Sequence, residues 1–133
     1  MADRSMSAAD SKALVVKFLE SWARRDLQTI MSCFDDESVY HNVPVVPIEG
    51  LAGIRAIFEG FLGAFETLEL ETIRIAAEPN LVFAERVDHF VLRSGVRFDL
   101  PVNGVFELAG GKIRRFSDYF NLPSFEGPSG FKL

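Results

Sequence analysis

Along the first 65 positions apolar residues recur at intervals of three and four, and from about residue 66 they recur at every second position. The first pattern belongs to helices with one buried face, the second to half-buried strands. Leu14, Val15, Phe18, Leu19 and Trp22 form the stripe of a first helix, with Ser7 as N-cap and Asp10 as the acidic residue of its first turn. Asp26 caps a shorter second helix that buries Leu27, Ile30, Met31 and Phe34, and Asp35-Asp36-Glu37-Ser38 ends it. Val39 to Asn42 reads as extended, and Pro44 and Pro47 make 43–50 a loop. A third helix from Leu51 to Phe65 carries Ile54, Ile57, Phe58, Phe61 and Leu62. Its interior Gly60 and Gly63 each weaken it by up to ~1 kcal/mol.

Turn signals at Glu78-Pro79-Asn80, Ser94-Gly95 and Gly110-Gly111 divide the remainder into four strands, 68–77, 81–93, 96–108 and 112–120. Helices followed by a meander imply an α+β fold. The expected architecture is a cone-shaped, curved antiparallel or mixed β-sheet packed against three N-terminal helices and enclosing an apolar pocket. Pro101, inside an otherwise regular strand, predicts a bulge or an edge where the sheet bends. Residues 1–6 read as a frayed N-terminus and 121–133 as a Pro- and Gly-containing tail, the whole 1–133 making one domain.

Thirteen Phe in 133 residues predict a core or pocket wall built from rings. The formal net charge is −5 with no basic stripe, which argues against nucleic acid as a partner. No signal-like segment and no run long enough to span a membrane is present, so the expected setting is cytoplasmic. Cys33 has no partner for a disulfide and reads as a buried, inert thiol. His41 and His89 lack further ligands at metal spacing and read as surface residues, so no metal is expected.

Polar residues on apolar faces carry the candidate chemistry. In the strand from Leu81, Arg86 and Asp88 share a face with Phe90 and Leu92; in the last strand Asp118 lies between Phe116 and Phe120. Phe98, Leu100, Val102, Gly104, Phe106 and Leu108 form the clean apolar face of the strand between them. A carboxylate between two rings costs several kcal/mol to ionise unless paired, and Arg86 supplies one partner for both aspartates. Tyr40 and Asn42, two apart on the short extended piece, can each hydrogen-bond one water. Two carboxylates bridged by one guanidinium suit push–pull hydrolysis: one takes a proton from water while the other gives a proton to a leaving oxygen. An apolar pocket would hold an uncharged substrate such as an epoxide, with Phe90, Leu100, Val102, Phe120 and Phe125 as its wall.

The segments Tyr40-His41-Asn42-Val43-Pro44, Glu85-Arg86-Val87-Asp88, Asn103-Gly104-Val105-Phe106 and Asp118-Tyr119-Phe120 occur in an order and spacing that resemble the limonene-1,2-epoxide hydrolase family, over about residues 10–126. The resemblance implies the nuclear-transport-factor-2-like (cystatin-like) fold, a homodimer, and hydrolysis of epoxides to vicinal diols in one step without a cofactor. It implies Asp118 as general base toward water, helped by Tyr40 and Asn42, with Asp88 as general acid and Arg86 bridging the aspartates. The chain departs from the family pattern with Phe116-Ser117 before the base and with Asn121 after Asp-Tyr-Phe.

Two rivals share the fold. One is a ketosteroid-isomerase-like or polyketide-cyclase-like enzyme, using one Asp as base on a carbon acid. The other is a non-catalytic ligand-binding or dimerisation domain that keeps the polar residues as a structural network.

Overall fold

A computed structural model describes residues 5–133. The chain runs α1 (Ala8–Ala23), α2 (Leu27–Ser32), β1 (Val39–Asn42), β2 (Ile48–Glu49), α3 (Leu51–Ala64), β3 (Phe65–Glu78), β4 (Leu81–Leu92), β5 (Arg97–Ala109), β6 (Lys112–Tyr119) and α4 (Leu122–Ser129). The strands form one open, mixed sheet in the order β2-β1-β6-β5-β4-β3. β3 to β6 are the antiparallel meander, and β1 joins its far edge parallel to β6.

The helices form where the caps and stripes require. The Ser7 side chain accepts from the Asp10 N–H at 3.0 Å, and Asp26 Oδ1 accepts from the Thr29 N–H at 3.1 Å. Val15, Phe18, Leu19 and Trp22 are buried along α1, which packs on β3 and β4. α3 ends one residue sooner than its stripe suggests, and β3 starts at Phe65 with no intervening loop. Arg25 holds that junction: it sits at φ 55° and donates to the carbonyls of Leu62, Phe65 and Glu66.

Three departures from simple alternation shape the sheet. β3 carries register shifts at Phe65/Thr67 and Thr72/Arg74, so its core-facing residues change parity from Leu68 and Leu70 to Ile75 and Ala77. A third shift, opposite Glu107 and Leu108, puts both Ile113 and Phe116 of β6 inside. Pro101 sits opposite Val87 in unbroken register, so no bulge forms there. β6 pairs with β5 only from Asn103 onward, which leaves Pro101 on a local edge that tolerates its missing N–H.

Met6 and the 121–133 segment are more ordered than their composition suggests. Residues 1–4 of the expected frayed terminus lie outside the described residues. Met6 is tied down, its N–H donating to Asn80 Oδ1 at 3.0 Å, while Asn80 N–H donates to Ser11 Oγ at 3.0 Å. The 121–133 tail contains α4, capped by the Asn121 side chain on the Ser124 N–H (3.0 Å) and closed by Gly130 at φ 68°. A fourth helix therefore joins the three expected.

The core is a lattice of rings. Phe18, fully buried, meets Trp22, Phe34, Phe106 and Phe116 edge-on at centroid distances of 5.2–6.2 Å. Cys33 is also fully buried, and burial pushes its thiol pKa up, in line with an inert thiol. Among the described residues no helix is long and apolar enough to cross a membrane. Phe18→Ala should cost about 3–5 kcal/mol in urea-unfolding free energy; a loss below ~1 kcal/mol would show that the ring lattice does not depend on α1.

Candidate active site

β4 supplies Arg86 and Asp88, which alternation points inward with Val82, Ala84 and Phe90. β6 supplies Asp118, two strands away across β5. Arg86 closes that gap. Its Nε and Nη2 donate to Asp88 Oδ1 and Oδ2 at 3.0 Å each, and its Nη1 and Nη2 donate to Asp118 Oδ1 and Oδ2 at 2.9 and 3.0 Å. Both pairs are bidentate, the strongest form of guanidinium–carboxylate contact. Arg86 is 1% exposed, Asp88 5% and Asp118 6%.

The guanidinium reaches Asp118 by passing over Gly104 of β5. A Cβ at that position would lie 2.5 Å from Arg86 Nη1 and 2.9 Å from Asp118 Oδ1. Gly104 is therefore part of the site; the sequence placed it on the apolar face of β5 and in the Asn103-Gly104-Val105-Phe106 segment, without assigning it this role. Phe116 lies beneath, its ring centroid 5.8 Å from the guanidinium carbon.

The parallel pairing of β1 with β6 sets Asn42 opposite Asp118 and Tyr40 opposite Phe116. Tyr40 and Asn42 are both buried, and the Tyr40 hydroxyl donates to Asn42 Oδ1 at 2.9 Å. The Asn42 oxygen is thus engaged, which directs its amide N–H groups to other acceptors. Tyr40 also stacks on Phe116 at 5.2 Å.

These five polar side chains border one mostly apolar cavity. The five apolar residues expected on its wall, Phe90, Leu100, Val102, Phe120 and Phe125, border it too. The helices add members that strand alternation could not nominate: Trp22 from α1, and Phe58 and Phe61 from α3. Their helical spacing marked them as core, and the cavity lies where that core is incomplete.

Burial and neighbouring charge together set the ionisation of Asp118, Arg86 and Tyr40. Burial raises the Asp118 pKa above the ordinary carboxylate range; Arg86 opposes the shift and Asp88 adds to it. Burial works against the charge on Arg86, yet the two aspartates outweigh it and hold the guanidinium charged. Burial and the neighbouring Asp118 charge raise the Tyr40 phenol well above its usual value, so it stays protonated.

The remaining polar candidates lie elsewhere. His41 Nε2 is 2.8 Å from the Val45 carbonyl, and Nδ1 is 3.2 Å from Arg115 Nη2. His89, on the other face of β4, sits between Glu71 and Asp99 at 2.8 and 2.6 Å, and those carboxylates raise its pKa. Among the described residues no group of three or more His, Cys, Asp or Glu side chains is placed to hold a metal ion. Of the departures from the family pattern, Phe116 lies under the guanidinium and borders the cavity, whereas Ser117 is buried in β6 and Asn121 caps α4.

An open, mixed sheet packed against helices, with a buried Arg and two Asp bordering a mostly apolar cavity, makes a small α+β domain of the nuclear-transport-factor-2-like type. The chain belongs to the family of SnoaL-like domains, whose model matches residues 15–116. That match includes Tyr40, Asn42, Arg86 and Asp88 and stops short of Asp118. The chain is 31% identical over 111 residues to the epoxide hydrolase EphG of Mycobacterium tuberculosis, covering 81% of this chain and 71% of that protein. Among solved structures, a limonene-epoxide-hydrolase-like epoxide hydrolase of M. tuberculosis superposes with a TM-score of 0.80 at 26% identity, covering 92% of this chain and 90% of that one. A candidate polyketide cyclase from Xanthomonas campestris pv. campestris superposes with a TM-score of 0.83 at 20% identity, covering 92% and 98%, and shows the shared fold alone.

Two outcomes test this geometry. Gly104→Ala should destabilise by about 1–3 kcal/mol in urea, because its methyl must displace the guanidinium; wild-type stability would mean that Arg86 does not run over β5. The raised Asp118 pKa means that the native state binds that proton more tightly than the unfolded chain does. Stability of the wild type relative to Asp118→Asn should therefore fall as pH rises from the ordinary carboxylate pKa to the raised one, and level off above it. A difference that grows with pH across that window, read from paired urea titrations, would reverse the assignment.

Proposed function

We propose that the chain hydrolyses small apolar epoxides to vicinal diols by one-step general acid–base attack of water, without a cofactor. The observation that carries this reading is the sharing of one buried guanidinium by two carboxylates at the wall of an apolar cavity. The 31% identity to an epoxide hydrolase supports it.

In this reading Asp118 removes a proton from a water held by the Tyr40 oxygen and the Asn42 amide. The water oxygen bonds to an epoxide carbon as the C–O bond opens, and Asp88 gives its proton to the departing oxygen. Asp118 gains the proton that Asp88 loses, so the cluster keeps its total charge and Arg86 holds the same geometry before and after. Each proton transfer contributes about 10²–10⁴-fold. Phe90, Leu100, Val102, Phe120 and Phe125 hold the uncharged substrate.

The isomerase and cyclase reading asks less of the site. Carrying a proton from carbon to carbon would use one Asp as base and a Tyr/Asp pair as oxyanion donors, with no water to activate and no C–O bond to break.

The test is incubation of the purified protein, with EDTA present, with limonene oxide, cyclohexene oxide, styrene oxide and a steroid epoxide. Mass spectrometry should find diol at 18 mass units above at least one substrate, as adding one water requires. Asp118→Asn and Asp88→Asn should each lower turnover at least ~10²-fold. Near-wild-type turnover in either variant would sink the acid–base assignment, and a product of unchanged mass from a carbonyl substrate would favour the isomerase.

A further inference from the structure

The cavity beside the Arg86 cluster measures about 50 Å³, a size that suits water. An apolar cavity that holds benzene measures ~150 Å³. A wall must therefore move before a ring-sized substrate fits. The residues lining the cavity are all buried except Leu70, Phe120 and Leu133, so it meets solvent among those three. Leu70 is locked in the β3–β4 ladder opposite Asp88, and Phe120 stands directly between β6 and the Asn121 cap of α4. Leu133 is held differently. Among the described residues, every hydrogen bond and ion pair made by 130–133 goes to Glu126 or Ser129 of α4. The Gly130 N–H donates to the Glu126 carbonyl at 2.9 Å and the Phe131 N–H to Ser129 Oγ at 3.0 Å. The Leu133 N–H donates to Glu126 Oε2 at 2.9 Å, and Lys132 Nζ lies 3.8 Å from Glu126 Oε1. Gly130, at φ 68°, turns the chain, and the Phe131 ring then packs on Phe61, Phe65 and Phe125 at 5.2–6.3 Å. Beyond Phe131 the Glu126 carboxylate is the one polar tie, so Leu133 can leave the mouth with every strand pairing intact.

We propose that Leu133 is a plug in the substrate entrance, latched by Glu126, and that its displacement opens the cavity and sets the size of substrate admitted. The inference rests on the hydrolase reading only for the identity of the occupant, and on the mouth itself for the plug. Phe131 stays seated as the anchor while Lys132 and Leu133 move. An apolar ring that takes the place of the Leu133 side chain gives the surrounding rings one apolar neighbour for another. The net cost of opening is then the latch. Apparent affinity is reduced by the fraction of molecules in which the plug is out. Breaking a contact that the closed protein makes should therefore tighten binding, the reverse of what a purely structural contact would do.

Trp22 borders the cavity and is the only tryptophan in the chain, so its fluorescence reports what enters. The probe is iodobenzene, an unreactive, ring-sized apolar molecule whose heavy atom quenches indole emission, followed by stopped flow. Glu126→Ala should raise the entry rate and lower Kd about five- to tenfold, the range expected for one lost hydrogen bond to a partly exposed carboxylate. Glu126→Gln keeps an oxygen for the Leu133 N–H in a weaker, uncharged bond and should fall between that variant and the wild type. Leu133→Ala, which shortens the plug and leaves the latch, should also speed entry and tighten binding. Unchanged or weaker binding in Glu126→Ala or in Leu133→Ala, or no quenching in any of the proteins, would overturn the proposal. In turnover, Leu133→Ala should raise the kcat/KM ratio of limonene oxide over cyclohexene oxide about fivefold, through KM. An equal change for both substrates would overturn the size role. Faster iodobenzene entry in the variants without diol from any epoxide would sink the hydrolase reading and leave the plug standing.

Discussion

Burying Arg86 strips a full positive charge of its water, at an effective cost of several kcal/mol. Only oppositely charged groups in good geometry offset that cost, and Arg86 has two, each bidentate. The consequences run outward through the sheet. β4, β5 and β6 must keep a register that sets Asp118 opposite Gly104, with Arg86 one inward position along β4 from Ala84, the partner of Gly104. β5 must present no side chain where the guanidinium crosses it. β1 must pair in parallel with β6 to bring Asn42 beside Asp118.

The rings make that charged cluster possible and give it chemical force. Phe116 stacks on Phe106 at 4.4 Å and on Tyr40 at 5.2 Å, so one side of the cluster is a continuous aromatic floor. Excluding water there strengthens each remaining electrostatic contact. It also raises the Asp118 pKa, and a carboxylate that binds protons more readily is a better base toward water. The same burial that costs stability therefore tunes the carboxylate that the proposed reaction uses as its base.

Much of this was legible in the sequence because strand alternation is local and exact in period. Arg86, Asp88 and Asp118 could be assigned to the inner face from their neighbours Phe90, Phe116 and Phe120, before any pairing was known. The Ser7 and Asp26 caps were legible for the same reason, since a cap is decided within four residues. What escaped was non-local or masked by composition. The parallel β1–β6 pairing joins residues more than seventy positions apart, and the inward turn of both Ile113 and Phe116 depends on a bulge that no single residue announces. α4 was hidden by Pro123, Gly127 and Pro128, although Asn121 followed by Pro123 is a usable N-terminal signal.

The division of labour between layers follows from these constraints. The sheet carries every charged member of the cluster, and a change there must preserve register, the gap at Gly104 and charge balance at once. The helices contribute only rings to the cavity from α1 and α3, and a ring can be exchanged for another apolar group at the cost of packing alone. The charged groups are therefore fixed in β4 and β6, where substitution is tightly coupled, whereas the apolar wall, shared by strands and helices, is not so bound. A fold organised this way can keep one arrangement of charged groups while its pocket changes. The wide sharing of the fold says little about chemistry for that reason, and the Arg86 clamp says more.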